Sequence, residues 1–151
     1  MFLRRYAEED RALTLALESD PRVMAHLGGP GSAVDADQVH AERLAGDLYF
    51  TIVVAEKPIG VIAVFRSDQE LDELGVLMLP AYQARGLAGQ AFRLILPHVR
   101  ERGISRLHGF ITDGNKASTA AATRVGFVPV GVRDLDYRGS TLRCVHLVLE
   151  V

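Results

Sequence analysis

Cysteine is nearly absent. Cys144 is the only one in 151 residues, so an internal disulfide and a multi-cysteine metal site are both excluded. It lies in the apolar run Leu142 to Leu149 and reads as a small buried hydrophobe. Long hydrophobic runs are missing too, and none is long enough to span a bilayer. Arg4, Arg5, Glu8, Glu9 and Asp10 stand where a secretory leader needs an apolar stretch, so a cytoplasmic location is expected. Charge of one sign is not in excess. A net charge of −2 offers nucleic acid no electrostatic footprint. His26, His40, His98, His108 and His146 are scattered without short spacing, so no metal site is expected. There is no internal repeat, low-complexity tract or linker.

What is present suits a globular chain. Hydrophobic residues make up 48% and charged residues 24%, enough apolar matter for the core of one domain over 1–151. Phe2 to Tyr6 reads as a first strand and Ala7 to Ser19 as a helix with acids at its front. Asp20 and Pro21 are a capping residue and a first-turn proline, opening a short helix to Leu27. Gly28-Gly29-Pro30-Gly31-Ser32 is a loop, either a plain linker or a segment that shapes a pocket. Asp35 to Ala45 is a third helical segment, whose acids Asp35, Asp37 and Glu42, with Asp47 beyond, either attract a cation or form a solvated face.

Leu48 to Ala55 and Val61 to Phe65 read as a hairpin across a turn at 56–60, and Glu73 to Leu79 as a third strand of the meander. Leu87 to about Arg102 is a helix ended by Gly103, and Pro97 is expected to kink it or end its regular part early. Arg106 to Thr112 is a strand, and Asn115 precedes a helix, Lys116 to Val125, that stops at Gly126. Phe127 to Leu135 and Thr141 to Val151 close the chain as a hairpin. A helix crossing between strands 73–79 and 106–112 makes them parallel neighbours. The expected fold class is α+β, an α/β three-layer arrangement. Its sheet is mixed and mostly antiparallel, with a central parallel strand pair and flanking helices.

The stretch Glu73 to Gly89 carries the chemistry. Leu74 to Leu79 is apolar at both alternating positions, as in a strand covered on both sides. Pro80 stops it, and a turn with small residues at Ala84, Gly86 and Ala88 opens the next helix. The first N–H groups of a helix have no internal partner, and the dipole adds partial positive charge, so this is a place for an anion.

Gln83-Ala84-Arg85-Gly86-Leu87-Ala88 resembles the Q/R-x-x-G-x-G/A signature of the GNAT superfamily of acyl-CoA-dependent N-acyltransferases. The flanking strand and helix agree with it, as does Asn115 before a helix ending in Gly126-Phe127. Leu3-Arg4-Arg5 and the run Ser19 to Gly29 resemble the RimJ/RimL-type branch. The resemblance covers nearly the whole chain. It implies acetyl transfer from acetyl-CoA, bound as co-substrate without a metal, to a primary amine by direct attack in a ternary complex.

The resemblance also implies roles. Gln83, Ala84, Arg85, Gly86, Leu87, Ala88 and Gly89 would hold the pyrophosphate. Leu77, Met78 and Leu79 would bond the pantetheine arm through their main chain, while their side chains serve the core. Glu73 would take the amine's proton, although a carboxylate at a strand end is also ordinary surface. The family's frequent tyrosine on the later helix falls on Ala122 here, which puts the thiolate's proton donor in doubt. Asn115 to Ser118 resembles the branch's N-x-x-S, making Ser118 the candidate donor and Asn115 a cofactor contact, a helix cap, or both. The missing tyrosine motivates an alternative, a non-catalytic acyl-CoA-binding module on the same fold. The acceptor amine stays open, whether a small molecule, a protein N-terminus or a lysine. No nucleic acid and no membrane partner is expected, and the antiparallel strands at the sheet edge allow a homodimer.

Overall fold

The computed structural model describes residues 1–29 and 33–151, so Pro30, Gly31 and Ser32 of the glycine-rich loop lie outside the described residues. β1 is Phe2–Arg5, and a 3-10 turn, Glu8–Asp10, leads into α1, Arg11–Ser19. α2 is Pro21–Met24 and α3 Ala33–Ala45. β2 is Leu48–Val54, β3 Lys57–Arg66 and β4 Asp72–Met78. A second 3-10 turn, Pro80–Tyr82, precedes α4, Leu87–Glu101. β5 is Arg106–Thr112, α5 Lys116–Arg124, β6 Val128–Tyr137 and β7 Ser140–Glu150. The strands form one sheet in the order β1-β2-β3-β4-β5-β7-β6. β4 and β5 are parallel, and every other pair is antiparallel.

Strand alternation divides the core between the two faces of the sheet. Ile62, Val64, Leu107 and Leu147 pack under Ala91, Phe92, Ile95 and Val99 of α4, with Ala122 and Val125 beside them. On the other face Val61, Leu77 and Leu79 pack with Tyr6, Leu13, Leu17, Val23 and Met24. Three layers result, as expected.

Several local expectations are corrected. The first helix starts at Arg11, because residues 8–10 wind as a 3-10 turn around buried Asp10, which accepts from the Ala7 N–H at 2.9 Å. The second helix ends at Met24 rather than Leu27. The turn expected at 56–60 is only Ala55-Glu56, both with positive φ (48° and 64°), and β3 already begins at Lys57. Pro58 is tolerated in that strand because the register shifts between Ile52 and Val53, opposite it. Pro97 does not shorten α4. It is exposed, as is Arg93, whose carbonyl loses its helical partner and can turn to water. Gly103 closes that helix with φ +72°, its N–H donating to the Arg100 carbonyl at 2.9 Å.

β4 departs most from expectation. It is not covered on both sides, since no residue from Asp72 to Met78 is buried and Val76 is exposed. The reason lies in its pairing. β3 accompanies it throughout, but only one aligned pair, Glu73 with His108, joins it to β5. Beyond that pair the parallel strands part and leave a wedge between Leu74–Met78 and Gly109–Thr112.

Candidate active site

The wedge opens toward the carboxyl ends of β4 and β5, where the chain enters α4 and α5. Leu77 and Leu79 turn their side chains into the core under α1 and α2, and Met78 turns into the core under α4. Their side chains are therefore structural, and only main-chain atoms remain to serve a ligand. Gln83 is drawn into the turn, where its Nε2 donates to the Met78 carbonyl at 3.0 Å. Ala84 and Gly86 both adopt left-handed backbone, at φ +59° and +73°. Gly86 is the N-cap of α4 and offers no side-chain cap. A Cβ placed on it would meet nothing within 4 Å, so its backbone angle requires glycine, not the space around it. The N–H groups of Leu87, Ala88 and Gly89 thus begin a fifteen-residue helix without a capping side chain. Gly89 sits where a Cβ would touch Val125 Cγ1 at 3.5 Å, so it also serves the packing of α4 on α5. Exposed Arg85 lies over the Tyr82 ring at 5.6 Å. This uncapped helix start beside an open wedge fits a pyrophosphate with an extended arm.

α5 begins at the same end of the sheet. Asn115 Oδ1 accepts from the Ser118 N–H at 3.3 Å, so its role as cap is real. Ser118 is exposed on the first turn, and its hydroxyl has no hydrogen-bond partner among the described residues. Ala122 packs against the core under α4.

Glu73 lies at the closed end of the wedge, on the side facing α1 and α2. It lines a cleft of about 790 Å³ together with Phe65, Asp68, Phe110, Arg133, Asp136, Tyr137 and Cys144, among others. Burial, reinforced by the nearby Asp68 carboxylate, pushes the Glu73 carboxyl up to about 7. A carboxyl poised there can accept a proton at neutral pH. The Cys144 thiol is buried and pushed up by its desolvation and by Glu73, so it stays protonated. Leu27 forms part of the same wall, and the Thr112 hydroxyl donates to the His26 carbonyl.

Of the sequence candidates, residues 77–79 and 83–89 border one end of the wedge, and Glu73 the other. Asn115 and Ser118 stand at the mouth through α5. The acids of residues 35–47 do not line the cleft: Asp37 pairs with Arg11, and Asp47 with Arg102 and Arg5. Sequence reasoning missed Asp68, Phe110, Arg133 and Tyr137. Phe110, Arg133 and Tyr137 are on strands, whose alternation fixes their spacing but not which face is the cleft, and Asp68 is in the turn between β3 and β4. His26, His40 and His98 sit apart, and no group of metal-binding side chains forms among the described residues.

Comparison with known proteins agrees with this fold. The model of the acetyltransferase (GNAT) domain family matches residues 1–128. No curated protein sequence matches. The solved ribosomal-protein-alanine N-acetyltransferase from Brucella melitensis superposes with a TM-score of 0.81 at 18% identity, covering 100% of both chains. YncA, a putative acetyltransferase from Salmonella typhimurium solved with its cofactor acetyl-CoA, gives 0.81 at 20% identity, over 99% of this chain and 93% of that one. The aminoglycoside acetyltransferase AAC(6')-Ib, solved with coenzyme A, gives 0.79 at 14% identity, over 99% and 94%. At such identities the structural likeness is one of fold, while the family model reads the sequence itself over most of its length: the chain belongs to the GNAT acetyltransferase family.

Proposed function

We propose that this chain acetylates a primary amine by direct attack on acetyl-CoA, with Glu73 as the base. One observation carries the reading. The parallel strand pair opens into a wedge with an uncapped helix start at its mouth and a carboxyl of pKa about 7 at its closed end. Acetyl-CoA, when bound, supplies an activated acetyl thioester. The chain's own residues do the rest. N–H groups of Leu87, Ala88 and Gly89 hold the pyrophosphate, and main-chain atoms of Leu77, Met78 and Leu79 align the arm. An acceptor ammonium has no lone pair, so Glu73 removes a proton from its nitrogen, directly or through water. The C–N bond forms as the thioester C–S bond breaks, the second proton shed by the nitrogen ends on the departing sulfur, and Ser118 donates a hydrogen bond toward that sulfur, a task for which Ala122 has no group. Family membership does not favour the non-catalytic alternative.

The acceptor enters by the cleft, where the carboxylates Asp68, Glu73, Asp134 and Asp136 outnumber the cations Arg66 and Arg133. It is an amine of a small molecule, a protein N-terminus or a lysine. The co-substrate fits a cytoplasmic location. β6 is an edge strand with Val128, Val130 and Val132 exposed, which suits pairing with a second copy.

Thermal melting with acetyl-CoA tests the core of this reading. Ligand at about a hundred times Kd stabilises by roughly 2.7 kcal/mol, a rise of several degrees. Gly86→Val, which strains φ +73° and places a branched chain over the helix start, removes that rise. A wild-type melting point unmoved by saturating acetyl-CoA overturns the reading.

A further inference from the structure

Two imidazoles stand on the face of the sheet that carries Glu73. His108 is its one aligned neighbour across the β4–β5 ladder, and aligned residues on adjacent strands present their side chains to the same face. His108 therefore stands on the cleft side. Its Nδ1 lies 2.9 Å from Nε2 of His146, with the ring centroids 5.2 Å apart and the planes 25° apart, so the rings meet edge to edge. His146 is buried at 8% exposure and stacks in turn on Phe110 of the cleft wall, at 4.5 Å and 15°. Neither ring makes another hydrogen bond among the described residues. Filling space on a sheet does not call for two ring nitrogens placed edge to edge, since each carries a desolvation penalty that an apolar side chain avoids.

We propose that His108 and His146 form the exit path for the proton that Glu73 takes from the acceptor amine. The path rests on Glu73 being the base. Glu73 must lose that proton before the next turnover. Its O–H bond breaks as an N–H bond forms at Nε2 of His108, directly or through one water. The Nδ1–H bond of His108 breaks as Nε2 of His146 takes the proton, and His146 releases its own Nδ1 proton to water. Glu73 ends as a carboxylate and both rings end neutral with their tautomers exchanged. Exchange with water then restores the starting pair.

The surroundings keep the rings neutral, as a relay of this kind requires, because only a neutral imidazole has both an N–H and a lone pair. Burial lowers the pKa of His108, helped by Arg106 on its own strand and Arg133 on β6, against Asp72 on β4 and Glu150 on β7. Burial likewise lowers that of His146, with Arg133 and His108 adding to it.

Ring ¹⁵N shifts, followed by NMR from acid to alkaline pH with acetyl-CoA bound, test the path. Both rings of the wild type are expected to show a step near pH 7 as Glu73 ionises, and Glu73→Gln to lack it. Rings that titrate identically in both proteins overturn the proposal. Kinetics supply the second arm, with whichever compound of a primary-amine panel releases thiol fastest. His108→Asn is expected to lower kcat about tenfold, leave KM for acetyl-CoA unchanged, and regain activity with added imidazole. Full kcat in His108→Asn alongside an inactive Glu73→Gln overturns the exit path and keeps the base, whereas full kcat in both overturns the base itself. A loss that imidazole does not restore, with a lowered melting point, assigns the rings to packing and also overturns the proposal.

Discussion

Glu73 affects stability and activity in opposite directions. Its carboxyl titrates ordinarily at 4.5 in the unfolded chain and at about 7 in the folded one. Between those values the unfolded state binds fewer protons, so folding stability falls as pH rises. The loss is complete above pH 7 and on the order of 3 kcal/mol. Glu73→Gln removes that penalty. Calorimetry should find the variant melting several degrees above wild type at pH 8 and level with it at pH 4. Activity runs the other way. It should rise with pH through about 7 in the wild type, and fall roughly 10²–10⁴-fold in the variant. A carboxylate at the head of an apolar strand can be read from sequence. Asp68, which raises its pKa, cannot, because only the fold of the Ser67–Glu70 turn returns it to β4. Cys144 divides the same way: its burial follows from an apolar run, its nearness to Glu73 from the order of β4, β5 and β7.

Among the elements, the tip of the β6–β7 hairpin is tied to α1. Glu18, buried at 2% exposure, accepts from Arg138 at 2.9 and 3.0 Å, and Arg43 of α3 lies 3.8 Å away. Arg138 reaches it from a turn position at φ +50° beside Gly139. Arg138→Ala leaves Glu18 with Arg43 alone and should cost about 2 kcal/mol in urea unfolding, below the usual loss for a fully buried pair because Arg138 is itself half-exposed. It also frees a wall of the cleft, so KM for the acceptor should rise more than kcat falls. The turn is legible as Arg138-Gly139. Its partner 120 residues earlier is not, since nothing local joins the two. The same limit explains β3. A run of Lys57-Pro58-Ile59-Gly60 reads as a turn by composition, and only the bulged pairing with β2 makes it strand.

For the whole molecule, the sheet is one continuous surface with a parting at its centre. Amides of Leu74–Met78 that point to β3 have strand partners, whereas those that point to β5 lie beyond the single Glu73–His108 pair. Hydrogen exchange by NMR should find the second set fast in the free protein and slowed by acetyl-CoA. Equal protection of both sets without ligand would contradict the wedge.

The order of elements, the crossover that makes β4 and β5 parallel, the Asn115 cap and the small-residue turn at Gly86 opening α4 were all determined by the sequence itself. Each rests on periodicity or backbone preference within a few residues. Tertiary structure alone decided that β4 is half-exposed, that Glu73 and His108 share a face, and that Asp68 and the last hairpin wall the cleft. Those facts depend on register and on strands meeting across a hundred residues, where a shift of one residue would turn every side chain to the opposite face.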